Sequence, residues 1–511
     1  MTESGRNVAA VIEFSSNNIR MIVGERSGDG VRSLDFMEYP LSIGKDTFTL
    51  GKVEIDKVNT ACLVVKNYIH AAAAYGVMPR DVRIVATSAL REASNKNYIL
   101  DQVRLKTGIV IRILDSQEEK FQIFKSALRL MAQRRDGLEG PSLLVFLGSG
   151  NVGFSVIERG RITFYQSILI GPLRVSELFD DVARRSSEYH VVVGEYVRTF
   201  LSQKTMLLPD KINDLIFTGG DVNIIRALCG DATHIKKPDF DRLYDRIKNA
   251  STEIIARELH IPHYRADILI PALSILGNFF GLSAQQTAFA PPAYLNESML
   301  YRVLFPKQSA ASDKDFYKNT VLCVEGIARH YGVSEAHAAQ VDNFSILIFD
   351  KIRKLHGMGP RERTLLRCAA HLHDCGKFIG IRQHALNSHN IVQGLDIIGF
   401  NQQDMRILAT ICLLHSGQDP DKFPSFVNMP DAEKTVTAKL SAILRLADAL
   451  DRGASQKIKS IDVSRDDDNL TILANTSANI DLEKWSFTQK HAFFAEVFGI
   501  NAVLKVKNTF V

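Results

Sequence analysis

Cysteine is sparse in this chain of 511 residues, and none of it is paired in sequence: Cys62, Cys229, Cys323, Cys368, Cys375 and Cys412 are scattered with no CxxC spacing among them. That pattern excludes a zinc ribbon or a disulfide framework and predicts reduced thiols, none of them a nucleophile. Long hydrophobic runs are lacking too. No apolar stretch approaches the roughly 18 residues of a membrane span, and the opening MTESGRNVAA has neither the basic start nor the apolar core of a signal peptide. The expectation is a cytoplasmic protein with no membrane partner. Charge of one sign is scarce: 62 Lys and Arg against 57 Asp and Glu leave a net +5, and the one basic tract is the short QRRDG at 133–137. This balance permits an anionic ligand but gives no footprint for a specific nucleic acid.

What is present is an ordinary globular composition, 46% apolar and 23% charged, in a chain long enough for about three or four domains. NVAAVIEF stops at the polar turn SSNN and resumes as IRMIVGER, which predicts a β-hairpin. A helix is expected over about Val53 to Tyr75. VRIVATSALREASN and IVIRILDSQEEKFQIFKSALRLM each read as a strand running into a helix. RRDGLEGPS marks a boundary near residue 135, after which the pattern begins again: LLVFLGSGNVGFSVIERGRITFYQSILIG is strand, turn, strand, strand, and DLIFTGGDVNIIRALCG is strand, glycine turn, helix. Two halves that open alike suggest two similar lobes around a cleft. From about Lys307 the spacing becomes helical, and the tail from about Lys457 alternates again, predicting a small, mainly β unit with RDDDN as its turn.

Small polar hairpin turns expose backbone N–H groups in one direction, a concavity suited to phosphate oxygens. Ser15, Ser16, Asn17 and Asn18 form one candidate and Gly148, Ser149, Gly150 and Asn151 another, with TGGD as a third strand-loop. Each alone is more often plain structure; corresponding positions in two halves favour a phosphate cleft.

ATSALREASN (Ala86 to Asn95), IRILDSQEEKFQIF (Ile111 to Phe124), the glycine loop, SILIGPLRVSEL (Ser167 to Leu178) and YRADILIPALSIL (Tyr264 to Leu276) together resemble the exopolyphosphatase and guanosine pentaphosphate phosphatase family, Ppx/GppA. The resemblance implies an actin-like (ribonuclease H-like), two-lobed α/β phosphohydrolase that releases terminal phosphate from inorganic polyphosphate or a guanosine polyphosphate, with Mg²⁺ or Mn²⁺ in the cleft, and a homodimer. It places the catalytic glutamate on Glu119, with Glu13 as a second acid, and phosphate contacts on Ser16, Asn17, Arg91, Gly148, Ser149, Gly150 and Asn151. Without that resemblance, Glu118 and Glu119 read as acids favouring a helix N-terminus. The first loop keeps a carboxylate as Glu13, whereas in the second Phe146 and Gly153 stand where the family pattern carries acids.

Eight of the fourteen histidines lie between His330 and His415. His373-Asp374, with His337 upstream and Asp448 downstream, follows the order of an HD-type metal site, whose nitrogen and oxygen donors suit a divalent transition metal. Asp451 shares the face of Asp448, His389 and His415 are candidates for phosphate contacts or a second ion, and Lys377 would share the face of His373 if the helix continued that far. Partly buried, hydrogen-bonded histidines in a dimerisation domain are the plainer reading. The expected division is 1–135 and 136–305 for the two lobes, 306–455 for an all-α HD-type domain and 456–511 for the small C-terminal α+β unit. Exopolyphosphatase-like hydrolysis in the cleft is the leading expectation. An HD-type metal-dependent phosphohydrolase with a degenerate cleft, or a non-catalytic polyphosphate or nucleotide binding protein, are the alternatives.

Overall fold

The computed structural model describes residues 7–132, 140–179, 188–205, 208–209, 211–291 and 293–508. The basic tract at 133–137 and most of the expected boundary segment lie outside them. The chain divides into two compact units, Met1–Lys314 and Asp315–Val511.

The first unit contains two sheets. One has β1 (Val8–Phe14), β2 (Asn18–Ser27), β3 (Gly30–Pro40), β4 (Val82–Ala86) and β5 (Ile111–Ile113) in the order β3-β2-β1-β4-β5. The other has β6 (Ser142–Leu147), β7 (Val152–Glu158), β8 (Arg161–Ile168), β9 (Asp214–Thr218), β10 (His234–Lys236) and β11 (Thr287–Phe289) in the order β10-β11-β9-β6-β7-β8. Both are built alike. An antiparallel meander occupies one side, and a parallel neighbour, β4 on β1 and β9 on β6, the other. This is the repeat of halves that the sequence suggests. The first strand of each half is buried along nearly its whole length, as a strand covered on both faces must be. Helices Ile55–Ala73 and Lys96–Thr107 bury Val58, Val65, Ile99 and Val103 in the core of the first sheet. Helices Tyr189–Thr205 and His263–Gly281 bury Val193, Val197, Ile275 and Phe279 in that of the second.

In the second unit, helices Glu335–Lys351, Pro360–Leu372, His384–Gln393, Gln402–Leu414 and Asp431–Ala449 surround one core that includes Phe344, Leu366, Leu408, Leu440 and Leu444. The tail has its helix among its strands and shares a core with the helices before it. Between β12 (Ser460–Arg465), β13 (Asn469–Thr476) and β14 (Asn501–Asn508) it carries the helix Asp481–Phe498, the crossover that lets β14 run parallel to β13. It also has no core of its own: Ile461, Leu470, Phe487 and Phe494 join the cluster of the preceding helices. The RDDDN turn is where expected, with Asp466 Oδ1 accepting from the Asn469 amide at 2.7 Å.

Candidate functional site

A cleft of about 720 Å³, including its open mouth, lies in the first unit where the two hairpin turns meet. The β1–β2 turn is fastened from outside: the carbonyls of Ser16 and Asn17 accept from Gly44 N (2.8 Å) and Leu41 N (2.9 Å). The β6–β7 turn is fastened by Ser149 O, which accepts from Leu173 N at 3.0 Å and Arg174 N at 3.3 Å. Gly171 sits directly against this turn. A Cβ there would collide with the backbone of Ser149, Gly150 and Asn151, so only glycine allows the approach. With their carbonyls held this way, the amides of Ser16, Asn17, Ser149 and Gly150 have no hydrogen-bond partner among the described residues.

Ser16, Asn17, Gly148, Ser149, Asn151, Glu13 and Glu119 all line the cleft. Two expected contacts stand elsewhere. Gly150 is not on the wall; its carbonyl accepts from Arg174 Nε at 3.0 Å, and its Cα faces the Phe48 ring. Arg91 stands behind the wall, donating to Leu114 O at 2.7 Å and to Glu119 Oε2 at 3.2 Å. It therefore positions the glutamate. The amide of Gly148 closes its own turn on Asn151 O at 2.9 Å and is not available to a ligand.

The two acids of helix Ser116–Ala132 part company. Glu118 pairs outward with Arg112 at 2.7 Å, whereas Glu119 is buried beside the cleft. Glu13 lies on β1 directly opposite Arg20 on β2. Burial pushes its carboxyl above the ordinary range against the pull of Arg20, and Glu119 adds to the rise. Its Oε2 is buried with no hydrogen-bond partner among the described residues.

Three charged wall residues were not singled out in the sequence: Arg20, Asp221 and Arg265. Glu38 joins the arginines, 2.7 Å from Arg265 and 3.6 Å from Arg20. Burial raises the Asp221 carboxyl while Arg265 and Arg20 oppose it. The signals were present: Arg20 follows Asn18 by two residues and so shares its strand face, and Asp221 closes TGGD.

In the second unit the fold brings His337, His373, Asp374 and Asp448 together. His337 Nε2 lies 3.8 Å from Asp374 Oδ2 and 3.5 Å from Asp448 Oδ1, and His373 Nε2 lies 3.7 and 3.5 Å from the same oxygens. Asp451 turns inward and holds His337 Nδ1 at 2.9 Å. Burial opposes protonation of His337, but Asp448 and Asp451 raise it to about 9. Burial and the adjacent His373 pull His415 down to about 3. Lys377 does not share a helical face with His373, because the helix ends at Leu372 and a 3₁₀ turn over Cys375–Phe378 sends its ammonium onto Asp374. Lys490 pairs with Asp448. Of the other two candidates, His415 joins the cluster and His389 does not: its Nδ1 meets Asn390 at 3.3 Å. His384, unforeseen, does join, 3.8 Å from Asp374 Oδ1. No disulfide forms among the six cysteines; five are buried, and burial pushes Cys375, for example, up to about 12.

The Ppx/GppA phosphatase family matches residues 37–304, and that family's domain III matches residues 321–491. This chain belongs to the Ppx/GppA phosphatase family. It is 21% identical over 456 residues to a guanosine-5'-triphosphate,3'-diphosphate pyrophosphatase of Pseudoalteromonas translucida (strain TAC 125), covering 86% of each chain. Its fold is similar to an exopolyphosphatase from Cytophaga hutchinsonii ATCC 33406, with a TM-score of 0.51 and 20% identity over 58% of this chain and 97% of that one. An exopolyphosphatase-like protein gives the same TM-score at 18% identity, over 58% and 97%.

Within this Ppx/GppA chain the two departures in the second loop coincide in space. Phe146 presents a ring to the cleft. At Gly153 a Cβ would meet Lys120 Cδ at 3.6 Å and Tyr165 at 3.7 Å. The buried Lys120, next to Glu119 in sequence, lays its stem there and donates to Ser167 Oγ. An aromatic ring and a lysine stem thus stand at this strand pair, and the carboxylates lining the cleft are Glu13, Glu119 and Asp221.

Among the described residues, no helix is long and apolar enough to cross a membrane.

Proposed function

We propose that the cleft of the first unit takes the terminal phosphoryl group of inorganic polyphosphate, or of a guanosine polyphosphate, and releases it as phosphate. The observation that carries this reading is the meeting of unpartnered amides from two hairpin turns with a buried carboxylate, Glu119, in a chain of a phosphatase family. Amides of Ser16, Asn17 and Ser149 hold phosphoryl oxygens, and Arg20 and Arg265 offset the charge of the chain behind them. Glu119 orients a water molecule and takes its proton. The water oxygen bonds to phosphorus, the bridging P–O bond breaks, and a chain one phosphate shorter leaves.

A divalent ion, Mg²⁺ or Mn²⁺, supplies neutralisation of charge on the transferring phosphoryl oxygens. The residues present fit one: the unpartnered Glu13 Oε2, with Glu119 close enough to raise its proton affinity, is an oxygen donor set that a hard cation suits. A cytoplasmic homodimer is part of the same proposal.

A second reading is favoured by the convergence of His337, His373, Asp374 and Asp448: these four hold a divalent transition ion, as an HD-type domain does, and the second unit contributes a hydrolytic site of its own. The donor set fits, since the Nε2 of His373 is fully buried without a partner among the described residues. The deciding experiment is phosphate release from long-chain polyphosphate with Mg²⁺ or Mn²⁺ by wild type, Glu119→Gln and Asp374→Ala. Loss in Glu119→Gln alone supports the cleft, loss in Asp374→Ala alone supports the second unit, and tight binding without release in wild type supports a polyphosphate or nucleotide sensor.

A further inference from the structure

Three histidines of the second unit are fixed in the same way. His373 Nδ1 meets Ala370 O at 2.9 Å, His415 Nδ1 meets Cys412 O at 2.7 Å, and His384 Nδ1 meets Ile381 O at 3.1 Å. A carbonyl only accepts, so each Nδ1 is the donor of its pair and each Nε2 is turned inward. His337 is oriented likewise by the Asp451 carboxylate. Anchoring one ring nitrogen on a carbonyl or carboxylate while the other faces a common centre is how proteins aim metal-binding histidines.

The four Nε2 atoms divide around one carboxylate. Asp374 Oδ2 faces His337 and His373, at 3.8 and 3.7 Å; Asp374 Oδ1 faces His384 and His415, at 3.8 and 3.9 Å. These separations exceed a hydrogen bond, whose N···O limit is about 3.2 Å. They approach the spacing of about 3.0–3.4 Å between two ligands bonded at about 2.1 Å to one ion. The Nε2 atoms of His384 and His415 stand 3.2 Å apart, where two lone pairs repel unless a proton or a cation lies between them. On the other side His373 Nε2, with no exposure, has no hydrogen-bond partner among the described residues. The remaining charges facing the group are Lys377 on Asp374 Oδ2, Lys490 on Asp448 Oδ2, and Asp451. Each lysine takes one lone pair of an oxygen that has two.

We infer that the second unit binds a pair of divalent first-row transition cations bridged by the Asp374 carboxylate. One ion takes His337, His373, Asp374 Oδ2 and Asp448; the other takes Asp374 Oδ1, His384 and His415. The inference rests on the second reading above, that His337, His373, Asp374 and Asp448 hold an ion, and adds the second ion and its ligands. Mixed imidazole and carboxylate donors select Mn²⁺, Fe²⁺, Co²⁺ or Zn²⁺ over Mg²⁺. The pair opens on one side only: the His384 side chain is 19% exposed and that of Lys377 47%, whereas His337, His373, Asp374, Asp448 and His415 are 9% or less. An anionic oxygen ligand of the class of phosphate reaches both ions from the His384 and Lys377 side.

The test uses the full chain, stripped with chelator, reloaded with Co²⁺ or Mn²⁺, freed of loose metal by gel filtration, and assayed for bound metal per chain. Wild type is expected to retain two ions per chain, with an exchange-coupled Mn²⁺ resonance. His384→Ala and His415→Ala should each retain one ion fewer than wild type and lose the coupling, whereas Glu119→Gln, which reaches only an ion of the first-unit cleft, should keep the coupling. His384 sits at the exposed edge, so its alanine variant folds. One ion in wild type, unchanged in His384→Ala, overturns the pair and leaves the single-ion reading standing. No retained ion overturns both. Two ions retained in both histidine variants overturn the ligand assignment.

Discussion

Phe146 and Gly153 are cross-strand partners in the β6–β7 hairpin. The two positions at which the sequence resemblance leads one to expect acids are therefore one place, the strand pair flanking the second turn. Lys120 fills the space over Gly153. Because a Cβ there makes only ordinary contact, we expect Gly153→Ala to change stability by less than about 0.5 kcal/mol. Gly171→Ala drives a methyl into the backbone of the same turn. It should cost on the order of 3 kcal/mol and weaken phosphate retention. Thermal midpoints and equilibrium dialysis with polyphosphate check the pair.

Glu118 and Glu119 offer an internal control. Glu118 is engaged with Arg112 away from the cleft, so Glu118→Gln should leave phosphate release within about twofold. Glu119→Gln should reduce kcat by about 10²–10⁴ with KM little changed, the size of a lost general base. Arg91→Ala, which frees the Glu119 carboxylate to move, should fall between them at about 10². Steady-state assays at saturating Mg²⁺ compare all three.

Glu297 gives stability a pH dependence of definite sign. Burial raises its carboxyl to about 7, with the Tyr294 backbone opposing. Between the unfolded value near 4.5 and the folded value the native chain holds the extra proton, so stability falls as pH rises through that window. Glu297→Gln removes this slope. Denaturation midpoints at pH 5 and pH 8 should lie closer together in the variant than in wild type, because the wild type alone loses the Glu297 contribution between the two pH values.

Asp451 touches His337 and not the shared centre. Asp451→Ala should weaken metal retention by about 10–100-fold while leaving its stoichiometry unchanged at saturation. Competition against a chromogenic chelator measures this directly.

The alternation of the sequence made the two sheets legible, because β1, β4, β6 and β9 are apolar runs between turn residues. It left 30–40 unassigned, since the half-exposed β3 mixes charges with apolar residues and lacks that contrast. Within the cleft, residue type identified the turns but not their facing: polarity alone does not say that Gly150 looks away or that Arg91 stands behind Glu119. Arg20 was readable from its alternation with Asn18 and went unread. His384 was not readable. It reaches Asp374 because Gly376 lets the chain double back, its Cα packed against the His384 carbonyl and the Ser388 amide, and such an approach leaves no periodic trace in sequence. The C-terminal strands read as a separate unit because their alternation is clear, yet alternation says nothing about which core a strand joins.

That shared core bears on how the protein is made. Lys490, which caps Asp448, arrives more than a hundred residues after His337, and the helix that carries it packs into the same cluster as Phe344 and Leu366. During synthesis the histidines emerge first and wait. The centre of the second unit is finished only once helix Asp481–Phe498 docks, so a polypeptide that stops before that helix lacks both the ammonium that pairs with Asp448 and the apolar side chains, Phe487 and Phe494, that complete the core around the cluster.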